Sequence, residues 1–299
     1  NHPMVVTVSA QGYIKRTNLD TYRTQRRGGR GKLGMATKEE DAVEHIFVAK
    51  NHSKLLVFTD RGVCYQLKVH NLPESGANAK GRPMVNLIEH LGKEEQVCAI
   101  LPVHKFVTDL YVVTVSEKGR VKKTSLMSYA RPRSIGLKAV RIEDGDRLAF
   151  VRLTHGDDEI FLASGNGKCI RFNETDVRIM GRVSRGVKGM RLDEGDKVVG
   201  AVVVNKDTED DLLTLTDNGY GKRTLISEYR KQKRGGKGIL TIVTSVRNGR
   251  VAGILAANDE RELMIAASNG VLIRTSMGQI SRYGRNTQQW FFPFAKFCR

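Results

Sequence analysis

Aromatic residues are scarce in this chain, at 6% of 299 residues with a single Trp290. Surfaces that hold single-stranded nucleic acid rely on aromatic side chains as stacking platforms, so the scarcity argues against that ligand. Cysteine is thin as well. Cys64, Cys98, Cys169 and Cys298 stand far apart with no C-x-x-C pair, which argues against a zinc site. Cys64 and Cys169 lie in apolar runs and read as buried thiols. Nothing calls for an oxidising compartment, so the expected setting is cytoplasmic. The seven histidines lack metal spacing, and His45 and His52 do not form an H-E-x-x-H pair. No apolar run approaches the roughly 18 residues of a membrane span. The opening Asn1-His2-Pro3-Met4 is no signal peptide, and without an initiator Met it reads as the start of an excised fragment. Acidic residues are also in deficit, 32 against 50 Lys+Arg, for a net charge of +18. That surplus favours a polyanionic partner, nucleic acid before an acidic membrane.

What the chain does have is repetition. A short apolar run, a turn ending in Gly and a second run carrying cations recurs six times. The copies end at Gly12, Gly62, Gly119, Gly167, Gly219 and Gly270, as in Val113-Thr-Val-Ser-Glu-Lys-Gly119 and Leu213-Thr-Leu-Thr-Asp-Asn-Gly219. A period of roughly fifty residues belongs to propeller blades or helical arrays. The runs are rich in Val, Ile, Leu and Thr, and Asn-Gly at three of the turns favours tight hairpins, so strands are expected. A Gly preceded by a cation follows at Gly31, Gly81, Gly189 and Gly238, with Gly136 lacking the cation. An apolar run and an acidic turn such as Glu143-Asp-Gly-Asp146 then complete each unit. The expectation is an all-β, six-bladed propeller with four-stranded blades, one domain over residues 1–288. Radial closure of that kind leaves few exposed sheet edges.

Four residues after each turn Gly stand Arg16, Gln66, Lys123, Arg171, Arg223 and Arg274, five of them cationic, and one residue earlier stand Lys15, Lys122 and Lys222. Strand alternation points equivalent positions the same way, so a ring of cations around the rim is expected. A second group lies on the loops before the glycines: Arg26, Arg27, Arg30, Lys32, Lys80, Arg82, Arg131, Arg133, Arg182, Arg185, Lys188, Lys231, Lys233, Arg234 and Lys237. Together they predict one basic belt suited to the backbone of duplex DNA, tolerant of sequence and steeply salt-dependent.

Within that second group, Gln25-Arg26-Arg27-Gly28-Gly29-Arg30-Gly31 has a close copy in Gln232-Lys233-Arg234-Gly235-Gly236-Lys237-Gly238. The first resembles the box motif of the C-terminal domain of the DNA gyrase A protein, with Arg30 where Lys is usual. Its context resembles that family too: Val8-Ser-Ala-Gln-Gly-Tyr-Ile-Lys-Arg-Thr17 before it, Gly81-Arg-Pro-Met-Val-Asn-Leu87 after it, and the later Gly219-Tyr-Gly-Lys-Arg-Thr224 and Gly284-Arg-Asn-Thr-Gln288. The resemblance covers residues 4–288. It implies a six-bladed β-pinwheel that wraps duplex DNA around its edge, with no catalysis and no cofactor of its own. The implied partners are the rest of gyrase A and gyrase B in an A2B2 holoenzyme, which uses ATP and Mg elsewhere to introduce negative supercoils in the bacterial cytoplasm at the nucleoid. It places Gln25–Gly31 where first and last blades meet, with Arg26, Arg27 and Arg30 as its working cations.

Two departures stand out. The second box is closer to the first than a later blade requires, and adds an anchoring point. Residues 289–299 abandon the repeat for Gln289-Trp-Phe-Phe-Pro-Phe-Ala-Lys-Phe-Cys-Arg299, which reads as a segment packed on a blade, a scar or an altered reading frame. Three rivals remain. Asp-containing turns such as Thr59-Asp-Arg-Gly62 bear a faint likeness to glycosidase propellers, which would need paired carboxylates. An interaction propeller would need its Gly-His…Trp-Asp repeat. The equivalent domain of topoisomerase IV usually has a degraded box. Gly28-Gly-Arg-Gly31 is no P-loop, since no Gly-Lys-Ser/Thr follows.

Overall fold

Aliphatic and β-branched residues in unbroken runs suit strands covered on both faces. The computed structural model describes residues 2–22, 32–33, 43–266 and 271–287. The first repeat contributes four extended segments, Pro3–Ser9, Tyr13–Asn18, Lys32–Leu33 and Val43–Lys50. The first two form a hairpin whose turn ends at Gly12 with φ 83°. The Ser9 hydroxyl closes that turn by accepting the Tyr13 amide at 3.1 Å. Thr59, Ser116, Ser164 and Thr216 do the same in later repeats. Glycine is required there twice over. The backbone lies in the left-handed region, and a Cβ on Gly62, Gly119 or Gly167 would stand 2.4, 2.6 or 2.4 Å from the carbonyl of Val140, Met190 or Ile242.

Val43–Lys50 pairs along the far side of Pro3–Ser9, but the short third segment leaves its own repeat. Arg82–Pro83, from the second repeat, adds to Tyr13–Asn18 of the first, with Arg82 opposite Ile14. Leu137–Lys138 adds in the same way to Val63–Lys68, Val187–Lys188 to Arg120–Ser125, and Ile239–Leu240 to Lys168–Asn173. Lys32–Leu33 of the first repeat pairs with Val271–Ser276 of the last. Each of these hairpins thus borrows its edge strand from the next repeat, and the last borrows from the first. The repeat predicts four strands per period but not this exchange.

The result is all-β and propeller-like. Uniform four-stranded blades are not found, however: among the described residues four antiparallel sheets have four strands and two have three. The three-stranded ones are built on the hairpins Asp211–Thr216/Gly221–Leu225 and Glu262–Ala266/Val271–Ser276. The divergent tail at 289–299 lies outside the described residues. A second correction concerns the fourth repeat. Its edge strand Val187–Lys188 follows Gly186, at φ 83°, and not the expected Gly189.

Hydrophobic cores form between consecutive sheets. Phe58 packs in one cluster with Val112 and Tyr129, Phe161 in another with Leu212 and Tyr229, and Leu213 with Leu263 and Ile265. Val5 and Tyr22 of the first repeat pack with Met264 of the last. Each fully buried side chain of this size stabilises by about 1.5–3 kcal/mol. Val43–Lys50, Val97–Val103, Leu148–Thr154, Val198–Asn205 and Val251–Ala257 touch one another in succession, so they form the inner side. The borrowed strands are therefore the outer edge. No helix among the described residues is long and apolar enough to cross a membrane.

Candidate nucleic-acid interface

The cations that follow the turn glycines are not where strand alternation alone would put them. Lys15, Lys122, Lys123, Arg171, Lys222 and Arg223 are buried, and Arg16 and Arg274 are nearly so. A rim ring made of these residues is corrected. Both faces of the hairpin are covered by neighbouring repeats, so no alternation could bring them to solvent.

Their partners explain the burial. Lys15 Nζ donates to the carbonyls of Gly76 and Ala77 at 2.9 and 2.7 Å. Lys122 grips Ala139, Gly181 and Arg182, and Lys222 grips Gly284, Arg285 and Thr287. Each lysine holds the edge loop of the following repeat by its main chain. With carbonyls instead of carboxylates around it, burial dominates: the Lys15 and Lys222 ammonium groups fall to about 8 and Lys122, with Arg182 adding repulsion, to about 7. Lysines occupy this position in alternate repeats, and Tyr65, Ile170 and Ile273 stand in the others.

One residue on, the guanidinium groups staple sheets together. Arg171 pairs with Glu159 and donates to the Ile226 and Tyr229 carbonyls, both at 2.9 Å. Arg223 pairs with Asp211 at 2.6 Å and donates to Met277 O at 2.8 Å. Arg274 pairs with Glu262 and donates to Tyr22 O at 2.7 Å, which ties the last repeat to the first. Arg16 reaches Leu72 O at 3.0 Å, and Lys123 pairs with Glu174 at 3.0 Å. These acceptors sit at the first or capping residue of short 3-10 turns such as Ile226–Glu228 and Met277–Gln279; the Ile226 and Met277 carbonyls already take the Tyr229 and Ile280 amides at 3.0 Å and accept the guanidinium with their second lone pair. The sequence carried a sign that was overlooked. Glu159, Asp211 and Glu262 all stand eight residues before the turn Gly, in three of the four repeats with Arg at the cationic position; the first repeat, with Arg16, has Met4 there.

The second group fares differently. Arg82, Lys138 and Lys188 lie on borrowed edge strands and are exposed, as are Arg131, Arg133, Arg185, Lys231, Lys233 and Lys237 on the preceding loops. Lys138, together with Arg141 and Arg191 just beyond the edge strands, belongs to this exposed set and escaped the sequence reading. Some are already engaged. Arg185 meets Glu143 at 2.8 Å and holds that carboxyl below its usual range, Lys231 meets Glu159 at 2.6 Å, and Lys80 rides over the Tyr13 ring at 3.8 Å. Arg182 is half buried, its guanidinium on Lys138 O at 2.9 Å.

The second box is a tight loop docked on the fourth repeat. The Gln232 amide donates to Arg171 O at 2.8 Å and the Gly235 amide to Gly189 O at 2.6 Å, while the Arg191 amide donates back to Gly236 O at 2.8 Å. Gly235 and Gly238 have φ of 85° and 76°, and a Cβ on Gly238 would stand 2.6 Å from Cys169 O. Arg234 serves as a strut, donating to Asp176 O and Lys188 O at 2.8 and 3.1 Å. Lys233 and Lys237 are left exposed at the surface, Lys237 at 3.4 Å from Asp193. The first box, Gln25–Gly31 with Arg26, Arg27, Gly28, Gly29 and Arg30, lies outside the described residues.

This propeller-like arrangement of small antiparallel sheets has counterparts among known proteins. Residues 3–50, 53–103, 110–155, 158–205, 210–258 and 261–289 match the DNA gyrase C-terminal domain, beta-propeller. The chain belongs to that family. The first four strands that open a hairpin, from Pro3–Ser9 to Asp158–Ser164, each begin within two residues of a matched stretch. The DNA gyrase A protein of Escherichia coli (strain K12) is 45% identical over 285 residues, covering 95% of this chain and 32% of the relative. Its counterpart from Staphylococcus epidermidis is 41% identical over 286 residues, with the same shares. The chain thus spans about a third of the length of these gyrase A relatives. A solved DNA gyrase A C-terminal domain shares the fold with a TM-score of 0.87 at 23% identity, over 97% of this chain and 95% of that one. The C-terminal domain of DNA topoisomerase IV follows at 0.73 and 28%, over 97% and 88%.

Proposed function

We propose that this gyrase-family domain binds duplex DNA along its outer edge and wraps it, catalysing nothing itself. The observation that carries the reading is the position of the exposed cations. Arg82, Lys138 and Lys188 sit on the outermost strand of three consecutive sheets, and the loops before those strands add more. A curved row of this kind releases counterions from several phosphates at once. That gain offsets the order of 1–6 kcal/mol needed to bend a short duplex through about 90°. The ring closes as six blades in this reading, and Gln25–Gly31 and Gln232–Gly238 fasten the DNA at two places. Wrapping presents DNA to the rest of gyrase A and to gyrase B, which supply strand passage and ATP hydrolysis with Mg in the bacterial cytoplasm.

The test is topological. The chain is bound to nicked circular DNA, the nick is ligated, and the linking number is measured. Wrapping changes it in proportion to bound protein; an unchanged linking number with binding intact refutes wrapping. The likeness to the topoisomerase IV domain gives a second reading, in which the domain steers DNA for decatenation. A bound but unwrapped circle is the result that reading expects.

A further inference from the structure

Align the edge loops on the Gly that precedes each borrowed strand, and the residue before it is Arg30, Lys80, Ile135, Arg185 and Lys237. One position in an otherwise cationic series is an isoleucine. It is not buried: Ile135 is 66% exposed. The loop beneath it is rigid. The Gly136 amide donates to Arg133 O at 2.9 Å, Gly136 has φ 83°, and its Cα packs so closely on Val63 and Tyr65 that a Cβ would stand 2.6 and 2.9 Å from their side chains. Pro132 fixes one more φ in the same loop. Exposed Arg131 and Arg133 flank the tip. The next loop also carries an exposed aliphatic, two positions earlier: Val183 is 61% exposed between half-buried Arg182 and exposed Arg185.

A lone exposed aliphatic needs no explanation. Two of them on consecutive loops, set among arginines on the basic edge, need one. We propose that Ile135, seconded by Val183, is an apolar wedge that enters the minor groove and partly unstacks a base step, localising the bend between phosphate contacts made by the flanking arginines. Wedges of this kind act by kinking the duplex, and pyrimidine–purine steps yield most easily. The domain therefore has a sequence preference at one place in the wrap, without reading base edges. This rests on the wrapping reading and specifies where the DNA gives way.

Selection from a randomised duplex pool tests it. The unmodified chain enriches TA or CA steps at a fixed distance from the footprint edge, and thymines there become hyperreactive to permanganate. Ile135→Ala loses both signals while its affinity for unselected DNA and its salt slope stay the same. Ile135→Lys also loses them and steepens the salt slope by about 0.9, one added phosphate contact. No enrichment with the unmodified chain, or enrichment retained by Ile135→Ala, overturns the wedge while leaving wrapping intact. A failure to change linking number overturns wrapping itself. Because Ile135 is exposed, both variants fold, and an unchanged thermal melt verifies that.

Discussion

Replacing Arg223 by Ala separates a structural cation from a DNA-binding one. The Arg223 and Asp211 side chains are 1% and 0% exposed and lie 2.6 Å apart. Truncation removes that pair, the bond to Met277 O and the contact with Asp259 at 2.7 Å, leaving Asp211 buried with Arg282 at 2.7 Å. Breaking one side of a buried pair costs about 3–5 kcal/mol. Arg282 is half exposed and still partners Asp211, which puts the expected loss near the lower end, about 3 kcal/mol, or roughly two decades in the unfolding equilibrium. Urea unfolding should show the unfolding free energy falling by that amount, and the midpoint by that loss divided by the m-value. Asp211→Leu combined with Arg223→Met should recover most of it, since a buried pair replaced by apolar groups of similar size is close to neutral. The folded fraction of Arg223→Ala should bind duplex DNA with its salt slope unchanged. An unaltered urea midpoint with a slope reduced by about 0.9 would refute the staple and return Arg223 to the rim.

The exposed lysines of the second box should behave in the opposite way. Lys233→Ala and Lys237→Ala each lower the salt slope by about 0.9 in a filter-binding titration, with melting temperature unchanged; a stability loss without a slope change would show a structural role. Lys122 gives a pH signature. Its ammonium drops to about 7 in the folded chain from an ordinary 10.5 because burial disfavours the charge. Between those values the unfolded chain holds a proton that the folded chain has shed, so this residue makes stability rise with pH across that window; below about 7 both states are protonated and the contribution is flat. Lys122→Met should remove that rise from urea midpoints measured across the range, and an unaltered pH profile would contradict it.

The period, the strands and the basic edge were legible because each depends on local chemistry: β-branched runs, Ser/Thr-x-x-Gly turns and Gly–cation loops. Strand exchange was not, since Arg82 and Ile14 meet across a whole repeat and nothing in the two-residue run Arg82–Pro83 names its partner. The burial of Lys15, Lys122 and Lys222 was hidden for a related reason. A lysine in a strand normally marks the solvent face, and only the arrival of a neighbour's loop supplies the carbonyls that let the charge sit inside. The carboxylates at Glu159, Asp211 and Glu262 were the one readable clue. Their spacing from the arginines is constant, and a free rim cation would need no such companion.

The two sets of cations follow from one geometric fact, the borrowing of the edge strand. When the edge strand comes from the next repeat, the loop leading to it must cross the preceding hairpin, and its main-chain carbonyls arrive with acceptor capacity that no strand ladder fills. Lys15, Lys122 and Lys222 donate to such carbonyls in alternate repeats, and the guanidinium groups donate to those of the 3-10 turns. The same crossing turns the loop's own side chains outward, which is why Arg82, Lys138, Lys188 and Lys233 remain at the surface. Net charge therefore overstates what a polyanion could meet, because part of the surplus neutralises backbone dipoles inside. It also means that the edge is preorganised. Loops held by Lys15 or strutted by Arg234 need little reordering to receive a duplex, and less of the binding free energy is lost to immobilising them.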